Sequence, residues 1–277
     1  MSSIDLRTKP YVEMTSEQVK EALANTDAIL VSVSQLVQHG PHLPINTDLL
    51  EVTETARRIV ALVNREKLRL VQGPLVPFGH SPYHRDFPGY VSLEPETLAR
   101  VVRDVGVSLA SQGFRRQVYL NLGGAQGPLE TGTYWVREAT GIRLHVLNWF
   151  EVVAGVECRT AARGEYDGHG GERETACVLA IAPDLVAMDR RFAYESPVHK
   201  ASRQLPFVRF GMATNMTDRH RALSIWSIKD ITPHGHYGDP TIATADEGGQ
   251  ILDTAAQVFA EFIETQVLSE GIVAVVR

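Results

Sequence analysis

Residues 28–33 read Ala-Ile-Leu-Val-Ser-Val, an apolar run of strand length. Such a run suits a parallel strand covered on both faces. A different rhythm follows. Leu49, Val52, Ala56, Ile59 and Val63 recur at spacings of three and four, which predicts a helix. Glu51, Glu54, Arg57 and Arg58 fall on its other faces, and Thr47 or Asp48 serves as its N-cap. Residues 68–71 predict a second strand, ended by Gly73-Pro74. A second helix should span residues 95–112, with Pro95 in its first turn and Gly113 past its end. Then come a strand at 117–121, the turn Leu122-Gly123-Gly124, a helix starting near Pro128 and a strand at 142–147. Further on, 172–182 reads as a helix stopped by Pro183. Residues 190–240 look irregular, with some strand at 222–228, and a long helix should occupy 245–267.

Strands that alternate with helices predict an α/β fold with a mostly parallel central sheet and right-handed connections. No linker divides residues 1–277, so one domain is expected. Ligands of such sheets bind beyond the carboxyl ends of the strands. The loops after the first three strands should therefore meet at one edge. They are 38–48, 78–84 and 121–124.

Composition narrows the partners. A net charge of −6 argues against nucleic acid or an anionic membrane as the main partner. No apolar run approaches the roughly 20 residues that span a bilayer. The first residues lack the apolar stretch of a signal peptide, and Cys158 and Cys177 make no disulfide framework. A cytoplasmic protein with reduced thiols is expected.

The chain carries 10 histidines. Imidazoles and carboxylates beside Gly and Pro in the loop Gln38-His39-Gly40-Pro41-His42-Leu43-Pro44 suit metal binding or proton transfer. His39 is either a site group or a packed loop residue. Asp48 is either catalytic or a helix cap. His42, between prolines, is either structural or substrate-facing. His80, Ser81, His84 and Tyr90 lie where substrate should bind. Glycines beside His169 allow a ligand to approach closely. Glu174 either orients His169 or caps its own helix. His236 and His234 flank Gly235 in a turn that favours solvent, although His236 is also a substrate-side candidate. Trp149 and Phe150 either stack on a flat substrate or pack in the core.

Four ordered segments carry a family resemblance. They are Gln38-His39-Gly40-Pro41-His42-Leu43-Pro44 with Thr47-Asp48, and Phe87-Pro88-Gly89 with Ser92-Leu93. The others are His169-Gly170-Gly171 with Glu174-Thr175, and Tyr237-Gly238-Asp239-Pro240. Together they resemble the creatininase (creatinine amidohydrolase) family over nearly the whole chain. The resemblance implies a three-layer α/β/α sandwich and a homo-oligomer, often a hexamer. It implies hydrolysis of amide-type C–N bonds in small molecules such as creatinine or formamides, and of a peptide bond. It further implies two divalent metals, zinc or manganese, with the histidine at position 169 moving protons.

The departures from that pattern are specific. Val37 stands where the family has a ligand glutamate, Gly123 where it has a ligand histidine, and Ala125 where creatininase has a glutamate. Of five ligands only His39 and Asp48 remain. A catalytic zinc usually takes three protein ligands and one open position. No binuclear centre is therefore expected. The site has either no metal or one, with the third ligand from His42, His80, His169 or His236. The leading expectation is amide hydrolysis with His169 as acid/base, assisted by Glu174, His39 and Asp48. The alternatives are metal-independent proton transfer (cyclisation, elimination or isomerisation) and non-catalytic ligand binding.

Overall fold

The computed structural model describes residues 5–153, 167–198, 200, 208–210, 222–224 and 227–269. Four strands form a parallel sheet in the order β2-β1-β3-β4: β1 (Ala28–Val33), β2 (Val71–Val76), β3 (Arg116–Asn121) and β4 (Arg143–Asn148). The helices are α1 (Ser16–Asn25), α2 (Thr47–Val63), α3 (Pro95–Gln112), α4 (Gln126–Thr140), α5 (Trp149–Val153), α6 (Glu172–Ile181), α7 (Ile228–Ile231) and α8 (Ala245–Phe262). A short parallel pair, Val208–Phe210 with Ala222–Ser224, stands apart from the main sheet.

Side-chain alternation along the strands divides the core into two layers. Leu30, Val118 and Leu120 face one side, where they meet Val52, Ala56 and Ile59 of α2 and Ile251, Ala255 and Phe259 of α8. Ile29, Val31, Val33 and Tyr119 face the other, against Leu98, Val102 and Leu109 of α3 and Leu129 of α4. This is the expected three-layer α/β/α sandwich. All six residues of β1 are buried, as its largely apolar run requires. Each fully buried Leu or Ile contributes about 1.5–3 kcal/mol relative to exposure.

Several expectations need correction. The second strand does not end at Gly73-Pro74 but runs through them. β2 lies at the sheet edge, where a proline costs no interior ladder bond. A Cβ at Gly73 would lie 2.8 Å from the Leu30 carbonyl oxygen, so the bare backbone suits this approach. The strand expected at 222–228 is described as Ala222–Ser224, and Ile228 already belongs to α7, behind a capping box at Ser227. Residues 225–226 lie outside the described set. The long final helix does span the expected 245–267, its last turn, Ile263–Val267, being a π-turn. No described helix is long and apolar enough to cross a membrane.

Candidate active site

The loops that follow β1, β2 and β3 do meet at one sheet edge, and Gln35 ties them together. Its Oε1 accepts from Ser81 Oγ, from Tyr83 Oη at 3.4 Å and from the Gly124 backbone N–H at 2.9 Å. The histidine loop then folds back, and its bridge between His39 and Leu43 places His39 under α2. On α2, Asp48 falls in the first turn. Asn46 takes the N-cap position, so Asp48 is not the helix cap. Its side chain turns instead to His39, with Oδ1 3.3 Å from Nε2.

From the far side, the turn before α6 delivers His169 and Glu174. Gly170, at φ 63, adopts a backbone conformation that suits glycine, and a Cβ there would lie 2.8 Å from both His236 Cβ and the His39 carbonyl oxygen. Glu174 turns back to accept the Gly170 N–H at 2.5 Å. The same Oε2 stands 3.9 Å from His39 Nε2 and 3.9 Å from His169 Nδ1. Glu174 thus holds the turn and faces both imidazoles. His39, Asp48, His169 and Glu174 are all buried.

Electrostatics separates the two imidazoles. Burial opposes a charge on His39, but the carboxylates of Asp48 and Glu174 outweigh it and raise its pKa to about 9. Burial and the charge on His39 push His169 well below its ordinary value, so it stays neutral. Burial raises Glu174 to about 7 against the opposing pull of His39.

The remaining sequence candidates divide. His84 is buried, with its ring centre 4.9 Å from that of His169. His42 is buried with Nε2 3.0 Å from Thr175 Oγ1, and its ring stands edge-on to His236. His236 is not solvated as a turn residue would be; it is buried, packs against Gly40 and Gly170, and pairs with the Phe192 carbonyl at 2.9 Å. His234 is the exposed one. His80 is half-buried and bonded to the Leu93 carbonyl, which holds it as a loop strut. Tyr90 is exposed. Trp149 leaves the candidate set: it is fully buried in the α2–α8 core and donates to Thr55 Oγ1 at 3.0 Å. Phe150 packs against that same core. Cys177 is a buried thiol of α6, and Cys158 lies outside the described residues.

Three residues escaped the sequence reading. Gln35 and Gln38 organise the loops; Gln38 opens the motif quoted above without a role of its own, and nothing in the sequence marks Gln35. Glu51 was expected on an outer face of α2, yet it is fully buried, with no hydrogen-bond partner for either oxygen among the described residues. Its pKa is raised well above the ordinary value by burial, then by Glu174, Asp48 and Asp167. The spacing Asp48 to Glu51 could have signalled it, since residues three apart share a helix face.

Could the cluster hold a metal? His39 Nε2, His169 Nδ1 and a Glu174 oxygen lie within 4.8 Å of one another. Both imidazoles have their other nitrogen anchored on a backbone carbonyl, the arrangement that orients ligand histidines. Asp48 Oδ2 is buried without a partner among the described residues. A nitrogen and carboxylate donor set of this kind suits one zinc or manganese ion. At Gly123 a Cβ would lie 2.6 Å from Gln35 Cγ, and the residue's φ of 122 disfavours any side chain. The Gln35 network occupies the space a histidine there would need.

The model of the creatinine amidohydrolase family matches residues 12–263. The chain belongs to the creatininase family. A mycofactocin precursor peptide peptidase of Mycobacterium tuberculosis is 28% identical over 259 residues, covering 91% of each chain. A creatinine amidohydrolase of Pseudomonas putida is 30% identical over 202 residues, covering 64% of this chain and 74% of its own. Among solved structures, a manganese form of creatininase superposes with a TM-score of 0.74 at 23% identity, covering 94% of this chain and all (100%) of its own. The fold of this creatininase-family protein is therefore that of the solved creatininases, and the protein is an amidohydrolase-like enzyme.

Proposed function

We propose that this protein hydrolyses an amide-type C–N bond of a small molecule at the His39–Asp48–His169–Glu174 cluster, with His169 as the acid/base. The observation that carries this reading is the state of His169. Its Nε2 is tied to the Gln38 carbonyl at 2.6 Å, so Nδ1 presents a lone pair toward Glu174 in a buried setting. A neutral imidazole placed in this way can take a proton from water and return it to a leaving amine. Glu174, with its pKa near 7, is suited to holding that proton in passing.

His39 and Asp48 would hold one divalent zinc or manganese, as the family resemblance implies, leaving His169 and Glu174 to handle the proton. Bound there, the ion would polarise the substrate carbonyl and lower the pKa of a water. A binuclear centre is not part of this reading, since Val37, Gly123 and Ala125 supply no ligand atoms.

A second reading, metal-independent proton transfer, draws support from one observation. Asp48 and Glu174 already neutralise a protonated His39, so the carboxylates have a counter-ion without a metal. Metal analysis of the purified protein separates the two. Hydrolysis of small amides (creatinine, formamides, dipeptides) with near one equivalent of zinc or manganese, lost on chelation, supports the first. Chelator-resistant activity abolished by His169→Ala supports the second. Ligand binding that raises the Tm without turnover would support a non-catalytic homologue instead. We further propose a cytoplasmic homo-oligomer, a hexamer by family resemblance, built from one domain over residues 1–277.

A further inference from the structure

His84 sits on the short turn Pro82–His84, and its protonation is fixed from a distance. The Gly40 N–H donates to Gln38 Oε1 at 2.8 Å. That leaves the amide nitrogen of Gln38 to donate to the Gly235 carbonyl at 3.0 Å and to His84 Nδ1 at 3.3 Å. An amide nitrogen has only hydrogens to offer, so Nδ1 accepts and the ring proton resides on Nε2. Nε2 is buried, and it has no hydrogen-bond partner among the described residues. A buried donor left unmet is costly, so such groups call for an acceptor from elsewhere. Burial and the charge on His39 hold the pKa of His84 down to about 3, so the ring remains neutral.

We propose that the Nε2–H of His84 donates a hydrogen bond to the carbonyl oxygen of the substrate. The identity of that oxygen rests on the amide-hydrolysis reading above. When the attacked carbon gains its fourth bond, an electron pair moves onto this oxygen. A donor already in place stabilises that charge without reorganising. His84 keeps its own proton throughout. Proton movement belongs to His169, its neighbour at 4.9 Å between ring centres. Two neutral imidazoles thus divide the work: one donates a hydrogen bond, and the other accepts and returns a proton.

The test uses formate, a small carboxylate whose oxygen imitates the developing charge. Histidine-selective 15N NMR on the full-length protein reads the His84 tautomer directly. The expected result is an Nε2–H signal that shifts saturably as sodium formate is added, in wild type and in His169→Asn. His84→Phe should weaken formate binding by about tenfold or more, while His84→Gln, which keeps an N–H, should retain most of it. If His84→Phe fails to fold, the wild-type tautomer and its formate response still decide the matter. A proton on Nδ1, or a His84 signal unmoved by saturating formate, would overturn the proposal. Formate engaging His84 in a protein that turns over no amide would leave the donor standing and remove the hydrolysis reading. Amide turnover with His84 silent would do the reverse.

Discussion

His39 and His169 lie 4.3 Å apart, ring centre to ring centre, and are anchored by consecutive carbonyls in opposite senses. Val37 takes Nδ1 of the first at 3.0 Å, and Gln38 takes Nε2 of the second at 2.6 Å. Their remaining nitrogens therefore converge on Glu174 from two sides. His169→Asn removes the converging lone pair while leaving a polar side chain in the turn. It should lower turnover of a small amide by about 10²–10⁴-fold, with the thermal midpoint near wild type. Steady-state kinetics beside a melting curve decides the matter, and unchanged turnover would reassign the proton.

Acid should destabilise the protein. His84 and His42 are buried neutral, with folded pKa values of about 3 against 6.5 unfolded. His169 is lowered in the same direction. The unfolded chain then binds more protons, so stability is lost as pH falls below 6.5 toward 3. Glu174 and Glu51, both raised, act oppositely above 4.5, two carboxyls against these three imidazoles and the likewise lowered His145 and His236. Denaturant titrations across this range should show a declining stability, and a smaller decline in His42→Gln.

Alkali should act through another group. His39 gains its charge partner on folding, and its pKa rises from 6.5 to about 9. This contribution is fully present below 6.5 and lost as pH climbs through about 9. In chelator-treated protein, Asp48→Asn should weaken stability near neutrality and flatten its dependence over that window. An unchanged slope would mean that Asp48 does not hold the charge.

Glu51 offers a stabilising change. It is a buried carboxyl with both oxygens lacking hydrogen bonds among the described residues, and its folded pKa is raised. Any stability it brings as a neutral acid is lost as pH rises above 4.5. Glu51→Met keeps the volume and removes the desolvation cost. At mildly alkaline pH the variant should gain about 1–3 kcal/mol, measured by urea denaturation. A loss would imply that the carboxyl has a partner during folding or binding.

Gly123→Ala probes the replaced ligand position. Its φ of 122 strains any L-residue, and the new Cβ would lie 2.6 Å from Gln35 Cγ. A loss of about 1–3 kcal/mol is expected. Gly123→His should likewise fail to add a second equivalent of metal, as read by elemental analysis. Recovery of two bound ions would contradict the space-filling role given to Gln35.

How much of this could be read beforehand follows from the physics of each position. The periodicity of α2 and the Pro95 and Gly113 boundaries of α3 are local signals, and they matched the structure closely. His39, Asp48, His169 and Glu174 were legible because turn chemistry and motif order mark them. The meeting of loops 38–48, 78–84 and 121–124 was legible because parallel strands send their loops to one edge, whereas His169 and Glu174 arrive from the turn before α6. Glu51 was missed because a glutamate among Glu54, Arg57 and Arg58 reads as a solvated face, although its spacing from Asp48 sets the two on one face of α2. His236 was misjudged for a similar reason, since a glycine turn usually faces water, and here it wedges into two other glycines. The Gly73-Pro74 break failed because edge position cannot be known before the strand order is.

His236 presses on Gly40 of one loop and Gly170 of the other, so close that a methyl at either glycine would collide with it. The two stretches are interlocked like teeth on a common wedge. An engineer seeking a new specificity would therefore have to transplant them, together with the Gly235 turn, as one cassette.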